Sequence, residues 1–161
     1  MPNNTQTVSS ILPQLQKLYP SIHFCVGKQF SWSPARQMVT YMDDAARASS
    51  WALIHEVAHA TLGHKHYKND IDLLQHEVEA WSAAKKIGKN IGVLVEDDYI
   101  QDCLDTYRDW VHKRARCPAC SVISLQQDDL TYKCFNCQTV WKVPASPLCR
   151  VSRVIIHATG D

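Results

Sequence analysis

Apolar side chains at helical spacing predict four helices, and two runs of alternating apolar and polar side chains predict strands. The predicted helices cover residues 8–18, about 49–62, about 70–89 and about 97–114, and the predicted strands cover 22–27 and 37–42. Between the strands, SWSP at 31–34 predicts a turn, because Pro34 restricts the backbone of the residue before it. Ser49 or Ser50 is the expected N-cap of the second helix, and Gly63 is its expected C-terminal stop. From residue 117 to residue 143 the pattern changes to short β-like runs between paired cysteines.

Length and composition limit the number of domains. With 161 residues, 45% of them hydrophobic, the chain can bury one core and one small appendage. The pattern predicts an α+β domain over residues 1–114, a cysteine module over 115–145 and an unassigned tail over 146–161. No stretch approaches the roughly 18 to 20 apolar residues of a membrane span, and the first residues lack the pattern of a secretory signal. We therefore expect a cytoplasmic protein without a membrane partner.

The net charge of +1 conceals an uneven distribution. Residues 1–111 contain 10 basic and 13 acidic side chains, a net charge of −3, whereas residues 112–161 contain 7 basic and 3 acidic side chains, a net charge of +4. A basic C-terminal part can bind nucleic acid or an acidic protein, or it can be an ordinary solvated surface.

The sequence His55-Glu-Val-Ala-His59 lies inside the second predicted helix. Residues four apart on a helix differ by about 40° in direction, so both imidazoles project from one face, where they can bind one Zn²⁺. Glu56 lies beside that face, and its carboxylate can take a proton from metal-bound water. This pattern predicts a hydrolytic zinc site.

A hydrolytic zinc site needs a third protein ligand and an open fourth position. The third predicted helix offers Glu77 and Glu79. Glu77 falls on the apolar face of that helix and Glu79 on its polar face. Because burying a carboxylate is costly unless it is paired or bound to metal, Glu77 is the favoured ligand. Glu79 is the alternative, and His64 and His66 remain further candidates.

The motif HEVAHATLGH, followed by Glu77-Val-Glu-Ala80, resembles the ImmA/IrrE metallopeptidases over roughly residues 20–90. The resemblance implies that His55, His59 and Glu77 bind the metal and that Glu56 is the general base. It also implies a zincin-like domain whose small sheet lies over the active-site helix. Trp81 departs from the family pattern, which often has Asn or Asp at that position. The KKIGKN segment also departs from it, because it replaces the usual continuation toward LLMP.

These residues predict a zinc-dependent endopeptidase that hydrolyses peptide bonds of a protein substrate by Glu56-assisted attack of zinc-bound water. By resemblance to ImmA/IrrE proteins, its role would be regulatory. The strand at 37–42 is a candidate edge for binding an extended substrate. His64, His66 and Tyr67 are the candidates for stabilising the oxyanion.

Two CxxC pairs, separated by thirteen residues, carry a second metal signal: Cys117, Cys120, Cys134 and Cys137. Four thiolates at this spacing can close a tetrahedron around a structural zinc in a zinc ribbon, so we expect two zinc ions per chain, one catalytic and one structural. Ser121 and Gln138 follow the pairs, where such turns commonly have Gly.

A second functional class fits the same chain. The protein could be a catalytically weak regulator with a zincin fold that binds DNA or a protein partner through its basic ribbon. Arg114 and Arg116 would then contact phosphates, and Phe135 and Trp141 would either stack on bases or form the core of the ribbon. The sequence leaves the substrate and the oligomeric state open.

Overall fold

The computed structural model of the chain is mixed α+β, with four helices and two small sheets among the residues that it describes, 6–145 and 150–156. The helices are α1 (Val8–Leu18), α2 (Arg47–Leu62), α3 (Asp70–Asn90) and α4 (Asp97–Ala115). The strands are β1 (His23–Val26), β2 (Ser31–Ser33), β3 (Met38–Tyr41), β4 (Leu125–Gln126), β5 (Thr131–Lys133), β6 (Val140–Lys142) and β7 (Val154–Ile155). The expected α+β class is confirmed at this level.

Contacts within the chain define two compact units. Unit 1 comprises the residues up to His66 together with His76–Ile100, and unit 2 comprises Tyr67–Gln75 together with the residues from Gln101 onward. Helices α3 and α4 therefore each contribute residues to both units. The predicted domains, with boundaries at residues 114 and 145, are meant as parts that fold independently. The two units do not test independent folding, so this division stays a prediction.

All four predicted helices are present, with shifts at their ends. Helix α2 begins at Arg47, so Ser49 and Ser50 lie inside its first turn, where both are buried. The predicted N-cap was therefore wrong, and the Ser50 hydroxyl instead donates to the Arg47 carbonyl at 2.6 Å. Gly63 ends the helix as expected, with a φ of 68° that an L side chain rarely adopts. None of the helices among the described residues has the length and apolar character needed to cross a membrane.

The sheet of unit 1 differs from the sequence prediction in two ways. A strand, β2, occupies Ser31–Ser33, where a turn was predicted, and the turn begins only at Pro34. The strand order is β1-β3-β2, with β3 parallel to β1 and antiparallel to β2. Both sides of β3 are therefore paired, and the prediction that the strand at 37–42 offers a free edge was wrong.

Helix α2 is the central element of unit 1, because it contacts α1, β2 and β3. Its apolar side chains are removed from solvent against these neighbours. Those that are completely buried are Leu53, Ile54, Val57 and Ala58. Burial of this kind contributes roughly 25 cal/mol per Å² of apolar surface, and it fixes α2, with its two histidines, relative to the sheet.

Unit 2 contains an antiparallel sheet in the order β4-β5-β6-β7. Its core includes Tyr132 and Trp141, whose rings stack at 5.6 Å, together with Cys117, Cys134 and Val143. Trp141 is therefore a core residue and is not exposed for base stacking, whereas Phe135 is 67% exposed. The predicted tail contributes one short strand, β7, while residues 146–149 and 157–161 lie outside the described residues.

A buried ion pair lies at the centre of unit 2. Arg114 Nε and Nη2 donate to the two carboxylate oxygens of Asp70 at 2.6 and 3.1 Å, and both residues are 1% exposed. The Tyr132 hydroxyl also donates to Asp70, and Arg114 donates further to the Pro144 carbonyl. The Trp141 indole N–H donates to the Arg114 carbonyl at 2.9 Å. The pair thus connects the first residue of α3, the last turn of α4 and two strands.

This burial corrects one expectation about nucleic acid. Arg114 cannot contact a phosphate in the described conformation, because its guanidinium is fully enclosed by Asp70, the Pro144 carbonyl and the Trp110 ring, whose centroid lies 4.2 Å from its Cζ. Arg116 is exposed. Loss of DNA binding on substituting Arg114 would therefore report unfolding of unit 2 and not a lost contact.

We predict that Asp70→Ala lowers the free energy of unfolding by about 3–5 kcal/mol, because it leaves the Arg114 charge buried without a partner. The measurement is urea denaturation of the zinc-loaded chain followed by circular dichroism. The matched control is Asp105→Ala, which removes an exposed ion pair to Arg108 within α4 and should cost less than about 1 kcal/mol. If the two substitutions lowered the free energy of unfolding equally, the buried pair would stabilise the fold no more than the exposed pair does.

Candidate metal centres

His55 and His59 project from the same side of α2 in unit 1. Their Nε2 atoms lie 3.0 Å apart, and the side chains are 9% and 12% exposed. The rings are nearly perpendicular, with an interplanar angle of 87°. The helical spacing of the HExxH sequence therefore brings two imidazole nitrogens to one point, as the sequence predicted.

Glu77 on α3 directs its carboxylate at the same point. Its Oε2 lies 3.1 Å from His55 Nε2, and its Oε1 lies 3.4 Å from His59 Nε2. The residue is 6% exposed, in agreement with its predicted position on the apolar face. Glu79 points elsewhere: its side chain is 61% exposed and its carboxylate lies 3.3 Å from His64 Nε2. The placement of Glu77, and not that of Glu79, thus completes a group of three donors.

The geometry of this group fits a metal ion. The three ligand atoms lie within 4.8 Å of one another. Tetrahedral ligands at zinc–nitrogen distances would be about 3.3 Å apart, close to the 3.0–3.4 Å between these atoms. Burial alone would raise the pKa of Glu77, but the hydrogen bonds with His55 and His59 outweigh it and lower the pKa to about 2. A carboxylate held ionised between two imidazoles is a site that can hold a cation.

Glu56 lies between the two histidines in sequence and keeps a partly exposed surface. Withdrawal from water raises the pKa of its carboxyl to about 7, although the nearby His59 and a hydrogen bond from the backbone N–H of Trp32 act in the opposite direction. Trp32 is the middle residue of β2, so the outer edge of this strand faces Glu56. A carboxyl group with a pKa near neutrality is suited to accept and return a proton.

His64 follows the glycine that ends α2, and the chain reversal brings its ring against His59. The two Nδ1 atoms lie 2.8 Å apart. His64 was predicted as a possible ligand or oxyanion donor, and its contact with the outer nitrogen of His59 was not predicted. The Gly63-His64 pair could have indicated this contact, because a left-handed residue at a helix end turns the following side chain back along the last turn. Of the other candidates, His66 is exposed, and Tyr67 belongs to unit 2.

Trp81 occupies a specific place beside the site. Its ring stacks on His55 with centroids 4.1 Å apart and an interplanar angle of 25°. His55 Nδ1 is buried and has no hydrogen-bond partner among the described residues. The departure from the expected Asn or Asp at position 81 therefore coincides with an imidazole that is positioned by stacking.

The four paired cysteines form a second group in unit 2, again with all ligand atoms within 4.8 Å. Cys117 Sγ lies 3.6 Å from Cys137 Sγ, and Cys120 Sγ lies 3.5 Å from Cys134 Sγ. Tetrahedral zinc thiolates would be about 3.8 Å apart, so the spacing fits a metal. Backbone hydrogen bonding, that from Cys137 first, lowers the pKa of Cys134 to about 6, which favours the thiolate form that binds metals.

The two CxxC turns have matching backbones. Ser121 N–H donates to the Cys117 carbonyl at 2.9 Å, and Gln138 N–H donates to the Cys134 carbonyl at 3.0 Å. Both donors have left-handed backbones, with φ of 64° and 63°. The chain thus adopts the conformation that Gly would supply, at a cost of about 1–2 kcal/mol for each non-glycine residue.

We predict that zinc content distinguishes the two glutamates of α3. After saturation with Zn²⁺ and removal of excess, the unchanged chain and Glu79→Ala should each hold two zinc ions per molecule, and Glu77→Ala should hold one. The reason is that only Glu77 directs a carboxylate at the two imidazoles. Elemental analysis gives the ratio. Two ions in Glu77→Ala and one in Glu79→Ala would reverse the assignment.

Comparison with known proteins gives no further guidance. No family model matches the chain, and neither the curated proteins nor the solved structures provide a match.

Proposed function

We propose that the chain is a zinc-dependent endopeptidase that cleaves a protein substrate. The observation that carries the proposal is the convergence of His55, His59 and Glu77 at one point with the carboxyl group of Glu56 beside it. Two imidazoles and one carboxylate are the donor set of many catalytic zinc sites, and they leave a coordination position for the reaction. The cysteine group would be a closed, structural zinc site, which gives two zinc ions per chain.

The resemblance to ImmA/IrrE peptidases adds a zincin-like fold and a regulatory role to the proposal. Contacts of α2 with β2 and β3 support a small sheet that lies over the active-site helix. The four-stranded sheet and the paired cysteine turns support a zinc ribbon. The family assignment itself depends on the HEVAHATLGH and Glu77-Val-Glu-Ala80 motifs.

In the proposed reaction, a zinc ion held by His55, His59 and Glu77 would act as a Lewis acid, which would acidify water and polarise the scissile carbonyl. Glu56 accepts the proton of the attacking water on its carboxylate and returns it to the leaving amine. The nearby cation would lower the pKa of Glu56 from its value of about 7, so the residue would start as a carboxylate. Glu77 stays ionised and holds the two imidazoles in place.

The substrate would lie along β2 and not along β3. Strand β2 is an edge of its sheet, and the backbone N–H of its middle residue, Trp32, is directed at Glu56. An extended peptide that pairs with this edge would pass beside the general base. This arrangement replaces the substrate edge that was predicted for residues 37–42.

A second candidate function is supported by the exposed face of the sheet in unit 2. The register pairs Leu125 with Lys133, and Lys142 with Val154, so these four side chains lie on the face opposite Tyr132 and Trp141. Leu125 is 74% exposed and both lysines are exposed. Such a face, together with the exposed ring of Phe135 in the second cysteine turn, would suit a nucleic acid or an acidic protein.

We predict that Glu56→Gln abolishes peptide-bond cleavage and leaves the zinc content at that of the unchanged chain. The amide cannot accept the proton, but the ligands are unaltered. The assay uses reduced, unfolded casein and mass spectrometry of new N-termini. Glu96→Gln is the matched control, since Glu96 is an exposed glutamate paired with Arg47 and should retain full cleavage. Cleavage by Glu56→Gln at the rate of the control would refute the mechanism.

We predict for the second candidate that duplex DNA binds the zinc-loaded Glu56→Gln chain and that Lys133→Ala with Lys142→Ala weakens this binding. Each lost phosphate contact should reduce the slope of log affinity against log salt by about 0.9. Lys86→Ala, an exposed lysine of unit 1, is the control. Absence of binding at low salt, or equal binding by all variants, would exclude this use of the sheet.

A further inference from the structure

A hydrogen-bonded series of three side chains extends outward from the candidate metal site. His59 directs Nε2 at Glu77 and Nδ1 at His64 Nδ1, which lies 2.8 Å away. On the far side of the His64 ring, Nε2 lies 3.3 Å from Oε2 of Glu79. The order of this hydrogen-bonded series is therefore His59, His64, Glu79. Its innermost member, His59, is one of the proposed ligands.

The proton positions along this hydrogen-bonded series follow from the state of His59. A metal on His59 Nε2 requires the lone pair of that nitrogen, so the ring proton of neutral His59 must be on Nδ1. His59 Nδ1–H then donates to His64 Nδ1. The proton of neutral His64 must accordingly be on Nε2, from which it donates to the Glu79 carboxylate. This is the single arrangement of neutral rings in which both hydrogen bonds have a donor and an acceptor.

One backbone conformation and two contacts hold His64 in the position that this hydrogen-bonded series requires. Gly63 ends α2 in a left-handed conformation and turns the backbone. The Trp32 indole N–H donates to the His64 carbonyl at 2.9 Å. The His64 ring stacks on His76, with centroids 4.2 Å apart and an interplanar angle of 12°, and the side chain is only 10% exposed. The backbone and the stacking on His76 thus fix the ring independently of its contact with His59.

We propose that His64 is a positioning residue for the metal site, which fixes the ring and the tautomer of His59 and is itself oriented by Glu79. The inference rests on the proposed metal binding by His55, His59 and Glu77. The other ligand provides the contrast, because His55 is stacked on Trp81 and its Nδ1 has no such acceptor among the described residues. The two histidines of the HExxH motif are therefore positioned by different interactions.

Loss of an outer hydrogen-bond partner of a metal-binding histidine typically lowers metal affinity by about 10- to 100-fold. We expect His64→Leu to lower the zinc affinity of the histidine site within this range. His64→Asn should stay within about threefold of the unchanged chain, because its Oδ1 takes the place of Nδ1 as an acceptor. Leu and Asn have nearly the same size and shape, so loss of the stacking on His76 is common to both.

The experiment is competition for Zn²⁺ between the full chain and a chromophoric chelator at fixed pH. The cysteine site is an internal reference, and its affinity should be the same in every variant. Nitrogen-15 chemical shifts of the histidine rings in the zinc-loaded chain provide a second readout, and they should show His59 protonated on Nδ1 and His64 protonated on Nε2.

The outcomes separate this inference from the proposed function. If the unchanged chain binds zinc at the histidine site and the Leu and Asn variants have equal affinities, the positioning role is refuted while the metal site stands. Protonation of His64 on Nδ1 would refute it as well. If the unchanged chain binds no zinc at this site, the proposed function and the positioning role fail together.

Discussion

The cost of burying a carboxylate constrains this structure more than any other interaction, and helix α3 buries two of them. Asp70 and Glu77 are 1% and 6% exposed. An ionised carboxylate that leaves water without partners is not tolerated in a folded protein, so each position dictates what must surround it. Asp70 is matched by a guanidinium and a phenol, and these fix the core of unit 2. Glu77 is matched by two imidazoles, which carry no fixed charge.

The environments of Asp70 and Glu77 differ in the charge of their partners. Asp70 forms a structural ion pair, whereas Glu77 is available to bind a cation. Arg114 is permanently charged and donates one hydrogen bond to each carboxylate oxygen of Asp70. His55 cannot do the same for Glu77, because burial lowers the pKa of His55 and favours its neutral form. Glu77 therefore lacks a permanently charged partner such as Arg114, and a divalent metal would supply the cation. The proposed zinc site is thus supported by charge balance as well as by the motif.

Local patterns made most of the site predictable from sequence, and non-local pairing made the rest unpredictable. The spacing of His55 and His59 determines their common direction within one helix, and the apolar face of α3 identified Glu77 because periodicity is a local property. Strand order is not local: Ser31–Ser33 is too short to show an alternation, and nothing in residues 37–42 reveals that two strands flank them. The burial of Arg114 was missed for the same reason, since its partner is 44 residues away.

Ser121 and Gln138 follow the two CxxC pairs at positions where such turns commonly have Gly, and the four cysteines still come together. Ser121 and Gln138 adopt backbones that Gly favours, at a combined cost of a few kcal/mol. A module with so small a core cannot offset such a cost easily by apolar burial. Zinc bound by four thiolates would contribute on the order of 10 kcal/mol to folding, which exceeds the strain by a wide margin. The backbone strain is therefore consistent with a site whose stability comes from the metal, whereas His55 and His59 are fixed in direction by the packing of α2.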